Sequence, residues 1–237
     1  MVEAEIEGIS HMGFNRKSKG TPEGGQFAEG RKPEGGDLTA QWTAPAEYQF
    51  SDGDGGPVPA HRHLNPDGTV GGWVADTSTV ADTAYVGPDA KVFGTAKVLA
   101  ESKVFGTAEV FGDAAILRRA QVFGDARVGE NAVVTDDAVV TEDARVMGSA
   151  HIDQFARISG SANILEDGRV TDRAIVQGDA RVSGHGYIHD TSIITGDALI
   201  HGNAQVRGLA VVAGNTELGD GTVTDGVMVI DNQVSTY

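Results

Sequence analysis

The stretch Val92–Arg127 reads VFGTAK VLAESK VFGTAE VFGDAA ILRRAQ VFGDAR, with an aliphatic residue at every sixth position. An amphipathic helix repeats its apolar residues every 3.6 positions and a half-buried strand every second one, so neither element accounts for this spacing. Followed from Val74 to Leu218, the register holds at 25 positions, all Val, Ile or Leu. Two residues before each stands a small one: 18 are Ala and the other seven are Gly, Ser or Thr. Turn formers such as Gly-Thr, Gly-Asp, Glu-Asn and Asp-Asp fill the second and third places after it.

A backbone that satisfies this pattern is a short strand, a two-residue turn, and another short strand. The aliphatic residue points inward and its neighbours outward. The small residue sits at the corner, where a larger side chain would meet the next wall. Three hexads close a triangular coil of 18 residues, and successive coils stack by pairing their strands. The expected fold is all-β, a parallel β-helix whose stability comes from contacts between neighbouring coils. The 25 hexads make a little over eight coils. At ~4.8 Å between strands the prism is roughly 40 Å long.

The segment GTAEVFGDAAILRRAQVFGDARVGENAVVTDDAVVTEDARV, from Gly106, resembles the hexapeptide-repeat family. That resemblance implies a left-handed coil. The segment GGWVADTSTVADTAYVGPDAKVFGTAKV, from Gly71, resembles a set of phage and bacterial hexapeptide-repeat proteins. In those, a Gly-Gly-aromatic start precedes an uninterrupted run of A-x-V-x-G-x hexads. The resemblance covers about two-thirds of the chain.

Outside the hexads the composition changes. Residues 1–37 read as a polar, Gly-rich arm and 38–73 as an irregular β cap, in which Trp42, Tyr48, Phe50 and Trp73 return. Such a cap is expected because a solenoid end exposes core and unpaired backbone. Residues 74–230 form the β-helix, with the register breaking at Thr224 and Val227–Ile230 offered as a closing strand. Residues 231–237 are read as a tail.

Composition narrows the chemistry. With no cysteine, disulfides, thiol nucleophiles and Cys-ligated metals are excluded. The net charge of −16 opposes nonspecific binding to nucleic acid and to anionic membranes, and neither is expected as a partner. MVEAEIEGISHMGF lacks the basic start and apolar run of a signal peptide, so the expected location is a bacterial cytoplasm or a virion.

Similarity to the hexapeptide-repeat family implies one catalytic alternative, an acyltransferase using acetyl-CoA, with a His as general base between subunits. Those sites rely on loops inserted between hexads, and this register has no inserted residue from Val74 to Leu218. The base candidates in the repeats are His151, His185, His189 and His201. Each is read as a surface residue, and no catalytic, cofactor or metal site is expected. His185 and His189 straddle an inward Ile188, so their spacing is not that of two metal ligands on a helix face. SDGDGG at 51–56 lacks the later acidic ligands of a calcium loop and reads as a turn.

The outward positions carry more information, because residues 18 apart stack on one face. Phe93 and Phe111 fall on one face, Leu99 and Leu117 on the second, Phe105 and Phe123 on the third. Further along, Val139, Ile175, Ile193 and Val211 share a column that Arg157 interrupts. Exposed apolar patches mark contacts. The expectation is a non-catalytic structural or protein-binding module. N-terminal residues cover part of the Phe ring, and Ile175, Ile193 and Val211 join copies into a homotrimer.

Overall fold

The computed structural model describes residues 48–51 and 57–236; expectations for the arm, for Trp42 and for most of SDGDGG lie outside them. The strands form three sheets of eleven, nine and ten. Nine strands of each stack in parallel as the walls of a prism, giving nine coils, with no helix among the described residues. The fold is the expected parallel β-helix. Among the described residues no helix is long and apolar enough to cross a membrane.

The coil count exceeds the sequence estimate for a local reason. Thr224 breaks the aliphatic pattern yet stays in step, pairing with Val206 and buried at the inward position. Val229 then fills the next inward place opposite Val212, a step of 17 residues where Val122 to Val140 is 18. These two positions complete a ninth coil.

The hexad chemistry reads directly onto the walls. Val98, Val134, Val140, Ile158, Val176 and Ile194 are completely buried, as are Ala96, Ala132, Ala138 and Ala174 beside the corners. Residues flanking the inward one donate their N–H groups to the next coil, for instance Lys97 to the Ala114 carbonyl and Leu99 to the Ile116 carbonyl. The second residue after the inward one adopts a left-handed φ at all 21 turns from Gly94 to Gly214, which is why glycine fills twelve of them.

The N-terminal end is closed by β1 (Gln49–Ser51) and β2 (Pro57–Leu64), antiparallel strands that continue the first face from β3 (Val70–Ala75). On the third face, side chains replace a missing coil. Asn65 accepts the Val86 N–H at 2.9 Å and donates to the Val86 carbonyl at 3.1 Å. His63 Nε2 lies 3.1 Å from the Ala84 carbonyl. Both residues are buried. At the other end, the residues read as a tail include the strand Gln233–Thr236, folded antiparallel onto Val227–Ile230.

Candidate functional site

The regular walls place each outward column without further assumption. All nine residues singled out for contact are half-buried on their faces. On the first face Phe93 stacks on Phe111 with centroids 5.3 Å apart, and Phe50 of β1 stacks on Phe93 at 4.8 Å. The Phe111 ring then leans over Gly129, where a Cβ would come within 2.4 Å of it. On the third face Phe105 and Phe123 stack at 4.6 Å. Leu99 and Leu117 lie in the matching column of the second face. Phe50 therefore supplies one cover over the first-face pair. Its composition was legible in the sequence, but the strand pairing that aims it was not.

The third face changes character towards the C-terminus. Its outward residues there are Ile175 and Gln177, Ile193 and Thr195, Val211 and Ala213, then Met228 and Ile230. Between the corners, these four successive rungs carry no ionisable side chain, and the longest comparable run on any face is two rungs. Ile230 is 41 % exposed, and Leu209 at the adjoining corner is 68 % exposed. Elsewhere the walls carry charges, some of them paired along the axis: Glu109 sits 3.2 Å from both Lys91 and Arg127. Of the arginine column Arg127, Arg145 and Arg181, Arg127 has this partner.

The second face gathers three of the four repeat histidines. A shallow groove of about 500 Å³ runs along it, lined by His151, Arg169, Tyr187 and Gln205 on successive rungs. The corner residues Ser149, Asp167 and His185 form its other side. His151 Nε2 contacts Asp153 at 3.2 Å, and Asp153 Oδ1 is buried with no hydrogen-bond partner among the described residues. Desolvation pushes the Asp153 carboxyl above its ordinary value, opposed in part by His151. A raised acid is a stability contribution that is present below the ordinary carboxyl range and lost as pH rises through the folded value. Asp153→Asn should therefore raise the melting temperature at pH 7, and the gain should vanish in acid. Calorimetry from pH 3 to 7 checks this, and a lower melting temperature at pH 7 would refute it.

The corner between the second and third faces is unusual in its turns. Six of the nine non-glycine residues at the left-handed turn position stand there: Ala100, Arg118, Asp136, Gln154, Asp172 and Asp190. A left-handed L-residue costs roughly 1–2 kcal/mol. Contacts to the next coil offset the cost. Asp190 accepts the Gly208 N–H at 2.9 Å, which holds its carboxyl below the usual range, and Arg118 pairs with Asp136 at 3.0 Å. Glu130 and Glu166 do the same at another corner, accepting the N–H groups of Gly148 and Gly184. Much of the acidity thus ties coil to coil. Asp172, His189 and Asp190 bring ligand-type atoms together, but both carboxylates already serve as such ties.

His201 stands apart on the first face, 3.1 Å from Glu217. No family model and no curated protein matches the chain. The functional reading rests on these surfaces.

Proposed function

We propose that the chain is a structural or protein-binding rod without catalytic activity, and that its third face joins copies of it into a homotrimer. The observation that carries this reading is the run of four uncharged rungs from Ile175 to Ile230. At ~4.8 Å per rung it is a strip roughly 15 Å long. Flat β walls allow close approach, and Ile175, Ile193 and Val211 form a continuous apolar ridge along it. Similarity to phage and bacterial hexapeptide-repeat proteins supports a role in a virion or as a binder of a bacterial protein.

Light scattering tests the assembly. The wild type should show three times the chain mass. Ile175→Lys/Ile193→Lys should reduce it to one, because two charges would be buried in the seam without partners. A monomeric wild type, or an unchanged mass in the double variant, would remove the proposal.

A second reading has one observation in its favour. The His151–Asp153 pair places an oriented imidazole at the border of the groove, an arrangement suited to general-base catalysis. This would be an acyltransferase-like activity. Stabilisation by acetyl-CoA that disappears in His151→Ala would favour it.

A further inference from the structure

We propose that the second-face groove binds an uncharged saccharide chain lying along the prism axis. This inference rests on the binding-module reading but not on assembly through the third face.

The groove gathers several polar side chains without partners among the described residues around one paired couple, Asp167 and His185, 3.4 Å apart. Some charged side chains on the walls are tied to the rung above or below, as in Arg119 with Asp137 at 2.6 Å and Arg207 with Asp225 at 3.1 Å, while others such as Arg145 and Arg181 have no ion pair among the described residues. Within the groove, Ser149, Arg169, Tyr187 and Gln205 make no side-chain hydrogen bond or ion pair to the described residues. They are donors and acceptors left available, three on strands and Ser149 at the corner turn. Small-ligand sites combine this kind of convergent polar group with an apolar surface, and the groove falls within their ordinary size range.

Tyr187 supplies the apolar surface. It stacks on His189 with centroids 4.4 Å apart, which fixes the ring upright on the wall. Tyr187 lines the groove, and its second ring face is the apolar surface proposed for the sugar. A pyranose carries a face of C–H groups that packs on an aromatic ring and a rim of hydroxyls that both donate and accept. Arg169 donates, Asp167 accepts, and Gln205, Ser149 and the two histidines supply groups of both kinds.

Charge decides between ligand classes. An anion would meet Asp167 and a chain of net charge −16, while a cation would meet Arg169. An apolar ligand would leave the polar groups unpaired. A neutral polyol satisfies both signs. The geometry is also periodic: Arg169 and Tyr187 occupy adjacent rungs, as do Asp167 and His185 at the corner, 18 residues apart. The rung spacing of ~4.8 Å is close to the length of one sugar in an extended chain.

The test is isothermal titration of the full chain with cellohexaose, chitohexaose, maltohexaose and isomaltohexaose, which differ in linkage and substituents. Saturable binding of at least one is expected. Tyr187→Ala and Arg169→Ala should each weaken it at least tenfold with the melting transition retained, and Lys103→Ala, at an exposed position on the third face, should leave it unchanged. Absence of binding by all four at millimolar concentration would overturn the proposal, as would affinities indifferent to both groove variants. Either result leaves the mass measured by light scattering untouched, so failure here is distinguishable from failure of the assembly.

Discussion

Val140→Asp is expected to cost more than ~4 kcal/mol and to open the middle of the solenoid. Val140 is completely buried and stacked between Val122 and Ile158. The substitution forfeits the ~1.5–3 kcal/mol that burial of one aliphatic side chain contributes. It also places a carboxyl where no donor reaches it, which adds several kcal/mol whether the group ionises or takes up a proton. Because each coil contacts only its neighbours, the damage should be local before it is global. Hydrogen exchange should show protection lost at Val122, Val140 and Ile158 while Val92 and Ile200 retain theirs. Native protection at Val140 in the variant would mean that the inward register is wrong.

The second large effect is expected at the N-terminal cap. Asn65→Leu keeps the branching and heavy-atom count of the side chain but removes both bonds to Val86. Val86 is buried, so its N–H and carbonyl would lose their partners. At ~1–3 kcal/mol for each of the two unsatisfied groups, the loss is about 2–6 kcal/mol. Urea unfolding measures it. Exchange at the Val86 amide should accelerate more than exchange at Val140, since the first coil has no preceding neighbour to hold it. Equal protection of Val86 in both proteins would show that the amide of Asn65 does not serve as a coil substitute.

The contrast between these two residues shows what a sequence of this kind reveals. Val140 was legible because the constraint on it repeats: every hexad solves the same packing problem with an aliphatic residue, a small residue and a turn. Asn65 occurs once, and its bonds to Val86 span 21 positions in an irregular loop. No local pattern announces it. The step of 17 before Val229 was hidden for a related reason, since a single omitted residue changes which of Val229 and Ile230 faces inward. The outward ladders were legible as columns, but the groove was not. It needs the column holding Arg169 and Tyr187 to be read together with the corner holding Asp167 and His185. Writing the sequence in rows of 18 brings these four residues together, although the stacking of Tyr187 on His189 still requires coordinates. The preference for side chains over glycine at one corner was visible in the same rows, whereas the carboxylate ties that offset its strain were not.

The direction of the outermost strands has a consequence for growth. A stack of parallel coils is in principle an open template, and another chain running the same way could add to either end without limit. At the N-terminal end of the first face, β2 runs against β3. At the C-terminal end of the third face, Gln233–Thr236 runs against Val227–Ile230. The C-terminal reversal presents an edge of the wrong polarity for another parallel coil on the third wall, whereas at the N-terminal end the outermost strand β1 runs against β2 and so in the direction of β3. At the C-terminal end a newcomer could pair in parallel with at most two of the three walls. Chain polarity thereby works against end-on addition at the C-terminal end.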